Sequence, residues 1–307
     1  MTVELVVISG KGGTGKTSVA GSLAVLAGEV VVADCDVDAS DLHLILRPEV
    51  VVSHEFFSGH EAVVDQRKCV RCGLCADLCT FDAFLRVKDE AGRVCLQVRP
   101  LACEGCGVCM RYCGVGAIDF PEKHRGHWYE SDTRCGPMVH AKLSVGSGNS
   151  GKLVTAVRRR ASEIARGRGL PWVITDGPPG IGCPVIASLT GATHVLAVTE
   201  PTVSGRHDLE RLLRLTRHFS IPTFVCVNKY DIHESAARDL AQFCDEEGVR
   251  FAGFIPWDPA VTEAQVARRT VVETDNPAGR AIREIWKTIR AWIEHESKEK
   301  NHDESDG

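Results

Sequence analysis

The segment from Ser9 to Thr17 has the composition of a phosphate-binding loop. It reads SGKGGTGKT and matches the pattern G-x-x-x-x-G-K-[ST], after an apolar strand and at the start of a predicted helix. Glycines let backbone N–H groups turn toward phosphate oxygens, and the start of the helix adds a favourable dipole. We expect Lys16 to reach the β- and γ-phosphates and the Thr17 hydroxyl to bind Mg²⁺. The residues predicted to contact the nucleotide here are Gly10, Lys11, Gly12, Gly13, Thr14, Gly15, Lys16, Thr17 and Ser18.

Eight of the fourteen cysteines form two runs with the spacing of cluster ligands. Each run reads C-x₂-C-x₂-C-x₃-C, the order of two-cluster bacterial ferredoxins, in which the fourth cysteine of each run ligates the other cluster. The predicted ligands are Cys69, Cys72, Cys75 and Cys113 for one [4Fe-4S] cluster, and Cys103, Cys106, Cys109 and Cys79 for the other. Zinc is the alternative, but a zinc site takes four ligands from two C-x-x-C pairs, whereas this order supplies eight. One departure is that Thr80 and Gly114 stand where a proline usually follows the fourth cysteine.

Short strands alternate with helices on both sides of the cysteine runs. Strands are predicted at 3–8, 30–33, 172–175, 195–199, 223–227 and 251–255, and helices at 17–27, 150–168, 205–219 and 277–296. This alternation predicts an α/β fold with a mostly parallel sheet covered on both faces.

The region between the two α/β parts has a different character. It is rich in cysteine and glycine, and 69–84 is repeated at 103–118, which indicates the duplication of a small unit. We therefore predict a discontinuous P-loop ATPase domain at 1–59 and 122–296, with a small α+β ferredoxin-like domain inserted at 60–121. The charged segment 297–307 is predicted to be a disordered tail.

Composition indicates the cellular compartment of the protein and which classes of partner to expect. The net charge of −5 gives no reason to expect nucleic acid or an anionic membrane as a partner. The first residues lack the features of a secretory signal, and no apolar run approaches the roughly 18 residues of a membrane span. Cysteines at metal-ligand spacing indicate a reduced compartment, so we predict a cytoplasmic protein.

The loop resembles that of the MinD/ParA class of P-loop ATPases, which reads K-G-G-x-G-K-[TS]. The resemblance implies that Lys11 crosses a dimer interface to the partner's nucleotide, so that hydrolysis requires a homodimer or a heterodimer with a paralogue. It gives Asp36 the role of orienting the attacking water and makes Asp176 the Walker B carboxylate near Mg²⁺. With Lys11 and Lys16, these two aspartates are the predicted catalytic residues.

The same resemblance places the adenine pocket at the ends of two later strands. Asn228 would read the edge of the base, and Pro256 and Asp258 would line the pocket. More narrowly, the segments 176–185, 199–209 and 136–143 resemble MinD-superfamily ATPases that contain an inserted ferredoxin domain. The cofactors implied are ATP with Mg²⁺ and two [4Fe-4S] clusters.

Three functions are compatible with these motifs. The first couples ATP turnover to electron transfer through the clusters to a redox partner protein. The second is an iron–sulfur carrier of the Mrp type, although such relatives use a C-x-x-C in the ATPase domain and this chain has only single cysteines after Cys113. The third is a MinD-like positioning ATPase that binds membrane through its C-terminal helix; core packing explains the apolar face of 277–296 better.

Of the remaining six cysteines, Cys135 lies in a polar stretch and is assigned no role of its own. Cys35, Cys95, Cys226 and Cys244 lie in or beside apolar runs and are predicted to be small core residues. Cys183 follows the Walker B segment, near the position at which the nitrogenase iron protein, a member of the same class, carries a cysteine that holds a cluster between two subunits. Such a bridging cluster would also need Cys135; the alternative for Cys183 is a packed structural thiol.

Overall fold

The computed structural model describes residues 2–144 and 150–303, and the chain divides into two compact units. Unit 1 consists of Met1–His54, Trp128–Lys142 and Ser150–Gly307, and unit 2 consists of Glu55–His127 and Leu143–Asn149. The boundaries predicted at 60 and 121 therefore fall short of those of unit 2 by about half a dozen residues on each side. The reason is that both boundaries of unit 2 lie inside long strands, Glu49–His60 and Glu122–Thr133, so no change of element marks them in the sequence.

The described residues contain thirteen strands and ten α-helices. The strands are β1 (Val3–Ser9), β2 (Val30–Asp34), β3 (Glu49–His60), β4 (Val63–Val64), β5 (Phe84–Lys88), β6 (Val94–Val98), β7 (Ile118–Asp119), β8 (Glu122–Thr133), β9 (Gly136–Leu143), β10 (Trp172–Pro179), β11 (His194–Thr199), β12 (Thr223–Asn228) and β13 (Arg250–Ile255). The helices are α1 (Lys16–Ala27), α2 (Leu42–Leu46), α3 (Leu74–Asp77), α4 (Val108–Arg111), α5 (Ser150–Arg168), α6 (Cys183–Leu189), α7 (Val203–His218), α8 (Glu234–Glu246), α9 (Ala260–Val266) and α10 (Pro277–Asp303).

A large sheet forms the centre of unit 1. Its strand order is β13-β12-β11-β1-β10-β2-β9-β8-β3, and the pairings from β13 through β9 are all parallel. The inner strands β2 and β11 are buried along their whole length, as expected for strands covered on both faces. The predicted α/β fold with a mostly parallel sheet is confirmed.

The last helix packs its apolar face into the core of unit 1. The face consists of Ile282, Ile285, Trp286, Ile289 and Ile293, each no more than 4% exposed. Ile285 also lies against the backbone of β13, where a Cβ at Gly253 would be 3.1 Å from the Ile285 side chain. This confirms core packing for the helix, and its apolar face is not available to a membrane surface.

The predicted tail begins later than expected. Helix α10 continues to Asp303, so residues 297–303 are helical rather than disordered, and 304–307 lie outside the described residues. The segment is rich in glutamate and lysine, which are strong helix formers, and it extends a helix that core packing already stabilises. No helix among the described residues is long and apolar enough to cross a membrane.

Unit 2 repeats one small motif. Helix α4 follows Gly107 as α3 follows Gly73, and both glycines have the left-handed conformation. The two copies are also interlocked, because Asp65 N donates to Ala117 O at 2.8 Å and Arg99 N donates to Ala83 O at 2.7 Å. Each bond joins the start of one copy to the end of the other. Two antiparallel pairs, β4 with β7 and β5 with β6, complete the unit.

Candidate functional site

The carboxyl ends of the central parallel strands meet at one edge of the sheet. Strand β1 leads into the glycine-rich loop, β2 ends at Asp34, and β10 carries Asp176. Asp176 is aligned with Val7 of β1 on one side and with Asp34 on the other. Parallel sheets of this kind bind ligands outside the carboxyl ends of their strands. Unit 1 therefore gathers the loop and the acidic residues at a single site.

The loop between β1 and α1 has the backbone geometry that its glycines allow. Gly15 has φ 86° and ends the loop in the left-handed conformation. A Cβ at this position would be 2.4 Å from Nδ2 of Asn228, so only glycine fits. No side chain caps the start of α1, and its first N–H groups are therefore free to bind an anion.

Lys16 is buried between two carboxylates. Its Nζ lies 2.5 Å from Oδ1 of Asp176 and 3.4 Å from Oδ2 of Asp36. Burial by itself disfavours the charged ammonium, but the charges of Asp176 and Asp36 outweigh it and raise the pKa of Lys16. Oδ2 of Asp176 is buried and has no hydrogen-bond partner among the described residues. The predicted catalytic residues Lys16, Asp36 and Asp176 are thus brought together, with a carboxylate oxygen left for another ligand.

Asp34 adds a third buried carboxylate that the sequence analysis did not assign to the site. Its Oδ2 accepts a hydrogen bond from Ser40 Oγ at 2.6 Å, and its Oδ1 accepts one from Asp36 N at 3.2 Å. Burial, reinforced by the charge of Asp176, raises the pKa of Asp34 to about 8. Burial also raises the pKa of Asp36, against the opposing charge of Lys16. The site is acidic, and Lys16 is the cation that these carboxylates share.

The other lysine of the loop, Lys11, contacts a different set of residues. Nζ of Lys11 lies 3.3 Å from Oε2 of Glu200 and 3.4 Å from Ser204 Oγ, and its side chain is 36% exposed. Glu200 also pairs with Lys229, whose Nζ is 2.6 Å from Oε1 and 3.2 Å from Gly13 O. Neither Glu200 nor Lys229 was predicted as a site residue. Each directly follows a parallel strand, β11 or β12, and this position could have indicated a place at the same edge of the sheet as the loop.

A pocket adjoins the phosphate-binding loop. This pocket has a volume of about 620 Å³ and is lined by residues that include Gly13, Ser18, Asn228, Pro256 and Asp258. It is the place predicted for the adenine base.

Two of the predicted adenine-pocket residues have bonding partners within the protein. Asn228 Nδ2 donates to Thr14 O at 2.7 Å, and its Oδ1 accepts from Lys229 N at 3.0 Å. Asp258 accepts from the backbone N–H groups of Ala260 and Ala278 at 2.9 and 3.1 Å. Asn228 therefore supports the loop, and Asp258 supports the starts of α9 and α10.

The eight spaced cysteines surround two cavities in unit 2. One cavity, of about 400 Å³, is lined by Cys69, Cys72, Cys75, Cys109 and Cys113. The other, of about 340 Å³, is lined by Cys79, Cys103, Cys106 and Cys109. Each predicted set of four ligands is gathered at one cavity, and Cys109 borders both. None of the fourteen cysteines, all of which lie among the described residues, forms a disulfide bond.

Backbone groups approach the sulfurs of the fourth cysteines. Ala83 N donates to Cys79 Sγ at 3.4 Å, and Ala117 N donates to Cys113 Sγ at 3.2 Å. These are equivalent bonds in the two copies of the repeat. N–H groups directed at sulfur stabilise negative charge there, as they do around protein-bound clusters.

The other cysteines separate into buried and exposed groups. Cys35, Cys95, Cys226 and Cys244 are buried, which confirms the prediction that they are small core residues. Cys135 is also buried and belongs to the main core cluster of unit 1. Cys183, at the start of α6, is exposed rather than packed.

Comparison with known proteins also indicates a nucleotide-binding domain. A profile of the CobQ/CobB/MinD/ParA nucleotide binding domain matches residues 5–271. The uncharacterized protein MJ0578 of Methanocaldococcus jannaschii is 28% identical over 95% of this chain and 98% of its own length. The uncharacterized protein MJ0579 of the same organism is 27% identical over 74% of this chain and 80% of its own. The septum site-determining protein MinD of Pyrococcus horikoshii, solved with Mg-ADP, shares the fold with a TM-score of 0.55 and 16% identity, over 94% of this chain and 96% of its own.

Proposed function

The chain belongs to the CobQ/CobB/MinD/ParA nucleotide-binding domain family, and from this premise we propose that it is an ATP-dependent dimerising ATPase whose second unit holds two [4Fe-4S] clusters. In this proposal ATP turnover is coupled to electron transfer through the clusters to a partner protein. Unit 1 supplies the nucleotide site and unit 2 supplies the cysteines.

The arrangement of Lys16 and Asp176 is the observation that supports nucleotide binding most directly. A buried ammonium held only by carboxylates can exchange one of them for phosphate oxygens when ATP enters the loop. The unpartnered Oδ2 of Asp176 and the hydroxyl of Thr17, the residue after Lys16, are the groups that would bind Mg²⁺ or its water shell. The residues present fit a magnesium nucleotide.

For hydrolysis, a water oxygen attacks the γ-phosphorus while the bond to the ADP oxygen breaks. Asp36 is our candidate for orienting this water, because it contacts Lys16 at 3.4 Å and burial favours its taking up a proton. Lys16 neutralises charge that develops on the phosphate oxygens. Lys11, in this proposal, does the same from the second subunit.

Replacing Lys11 by alanine tests the proposed dimeric ATPase. Lys11 contacts Glu200 and Ser204 rather than Lys16's carboxylates, so the Lys11→Ala variant should still bind nucleotide. It should not dimerise with a non-hydrolysable ATP analogue, and its ATPase rate should fall by about 1,000-fold or more, the effect expected for an arginine-finger type of cation. Calorimetry measures the binding, light scattering the dimer, and phosphate release the rate.

Lys287→Ala provides the control for this experiment. Lys287 is an exposed lysine of α10 that pairs with Glu284 on the same helix, so its removal should change neither binding nor turnover. Hydrolysis by Lys11→Ala at the wild-type rate would show that Lys11 does not act across an interface.

The cysteine cavities support the proposal for the clusters. Four thiols of the predicted set converge at each cavity, and the Sγ atoms of Cys79 and Cys113 already accept backbone N–H groups. Each thiol of the two sets would lose its proton on binding iron, because the thiolate is the ligand. The thiols therefore fit [4Fe-4S] clusters, which when bound supply one-electron transfer.

Resident clusters are favoured over cargo by the interlocked repeats of unit 2. Each predicted ligand set takes three cysteines from one copy and a fourth from the other, and backbone bonds join the copies at both ends. Release of a cluster would require these copies to separate. We therefore favour an electron-transfer role over the carrier role of Mrp-type relatives.

Retention of iron during turnover distinguishes these two roles. Protein with both clusters, incubated anaerobically with Mg-ATP and an excess of an apo-ferredoxin, should keep its iron while ATP is hydrolysed. The Lys16→Ala variant serves as the sample without turnover. Transfer of iron and sulfide to the acceptor only when ATP is hydrolysed would instead identify a carrier.

A positioning ATPase of the MinD type would share the nucleotide chemistry but would need another route to the membrane. The apolar face of α10 is buried in the core of unit 1, so this helix does not supply the contact.

A further inference from the structure

Unit 2 contains a second group of metal-ligating side chains, which includes none of the cysteines. Glu55 of β3 and the histidines His124 and His127 of β8 each place a ligand atom so that all three atoms lie within 4.8 Å of one another. None of these residues has a role in the nucleotide or cysteine sites described above.

Contacts between β3 and β8 hold this group in place. The two strands are neighbours in the sheet order. Within unit 2, Arg125 Nε donates to Ser58 O at 3.1 Å, and Lys123 pairs with Glu61 at 3.3 Å. The arginine and lysine side chains are both buried, so the pairing of these strands is well defined near Glu55.

A glycine brings the two histidines together. Residues three apart in a regular strand point to opposite faces of the sheet. Gly126, between His124 and His127, has φ 150°, a value that residues with a Cβ rarely adopt, and it interrupts this alternation. The two imidazole rings are consequently only 4.8 Å apart between centroids.

One nitrogen of His124 lacks a partner in the protein. Its Nε2 is buried and forms no hydrogen bond with any described residue, while the ring of Phe57 packs edge-on against the imidazole at 5.3 Å. A buried polar atom without a partner is costly and requires an explanation, such as an ion. A bond to a metal ion would give the imidazole of His124 such a partner.

The donor set identifies the class of ion. Two imidazoles with one carboxylate suit Zn²⁺ and neighbouring divalent transition metals rather than Mg²⁺ or Ca²⁺. With Zn–N bonds of about 2.0–2.1 Å, tetrahedral ligands lie about 3.4 Å apart, so the three ligand atoms, now within 4.8 Å of one another, would draw closer when the ion binds. Three protein ligands leave a fourth position for water or another molecule.

We propose that Glu55, His124 and His127 bind a divalent transition-metal ion of the Zn²⁺ type, which links β3 to β8. Glu55 is the first residue of unit 2 and His127 ends its long segment, so the ion would join the chain where it enters and leaves this segment. The ion would stabilise the two ends of the segment Glu55–His127 independently of the cysteine sites.

Zinc binding to the full-length protein tests this site. Protein purified anaerobically, with its iron content measured and loosely bound metal removed by a chelator, is titrated with Zn²⁺ by calorimetry. We expect one zinc per chain beyond the cysteine-bound iron. X-ray absorption at the zinc edge should show nitrogen and oxygen ligands at about 2.0–2.1 Å and no sulfur.

Variants locate the zinc. His124→Gln and His127→Gln should each weaken zinc binding by about 100-fold or more, since even partners outside the ligand shell contribute 10–100-fold. Glu55→Gln, at an exposed position where misfolding is not expected, should also weaken it. The control is His60→Gln, because His60 is an exposed histidine of β3 that stacks on Phe120 outside the site.

Three results would overturn the proposal. They are the absence of bound zinc in the wild-type protein, sulfur ligands at about 2.3 Å, and unchanged zinc affinity in the His124→Gln/His127→Gln double variant. Circular dichroism and iron content establish that each variant is folded. If a histidine variant is not, Glu55→Gln and the ligand identity from X-ray absorption decide the outcome.

Discussion

Replacing Lys16 by alanine should abolish nucleotide binding and lower the stability of the free protein. Lys16 is the cation shared by Asp36 and Asp176, and Asp34 lies beside them in the same buried site. Removing one partner of a buried ion pair costs about 3–5 kcal/mol, because the other charges are left without compensation. Loss of the cation that contacts phosphate should lower nucleotide affinity below detection by calorimetry. Denaturant unfolding measures the first effect.

A second substitution separates the loss of stability in Lys16→Ala from its loss of nucleotide binding. In Lys16→Ala/Asp176→Asn one of the uncompensated charges is gone, so most of the lost stability should return. Nucleotide binding should remain absent, since the double variant has neither the cation nor the carboxylate. Lys287→Ala, an exposed lysine paired with Glu284, should change stability by less than about 0.5 kcal/mol. Normal nucleotide affinity in Lys16→Ala would exclude the proposed phosphate site.

Replacing Cys113 by alanine should remove one of two clusters. Cys113 borders only the cavity of Cys69, Cys72 and Cys75, so the other ligand set stays complete. Anaerobically prepared wild-type protein should contain about eight irons per chain, and Cys113→Ala about four. Iron and sulfide analysis, with EPR of the reduced protein, measures the change. One zinc and no sulfide in the wild type would exclude the ferredoxin-type assignment.

Cys183→Ser is the matched control and tests the bridging cluster. Cys183 is exposed on unit 1, whereas its predicted companion Cys135 is buried in the core of that unit. A buried Cys135 is poorly placed to reach a ligand shared between subunits, so the iron content of Cys183→Ser should equal that of the wild type. A loss of about two irons per chain, which is four per dimer, would establish a cluster between subunits.

The sequence predicted the parts of the sites that depend on local spacing. Residues 9–17 specify a loop because glycine is needed for its left-handed positions, and the lysine and threonine follow at the start of α1. The two cysteine runs are likewise local patterns, repeated once. The alternating apolar segments predicted the parallel sheet, since strands buried on both faces must be apolar along their length.

Element boundaries were less predictable where burial does not impose a pattern. Strand β3 is mostly exposed even at its run of three valines, Val50 to Val52, and unit 2 begins in the middle of the strand rather than at its end, where the prediction placed the insertion. Helix α10 continues through a charged segment because its packed apolar face already holds the helix in place. The charged composition of residues 297–307 had instead predicted a disordered tail.

Residues that are distant in sequence became neighbours only through the tertiary fold. Lys16 and Asp176 are 160 positions apart and meet because β1 and β10 are adjacent parallel strands. Glu200 reaches both Lys11 and Lys229 because their strands end at one edge of the sheet. The sequence by itself determined which residues can bind phosphate and iron, since those ligands are set by short spacings. Only the tertiary structure decided which carboxylates compensate the lysines and which histidines face Glu55, because pairing between distant strands fixes those distances.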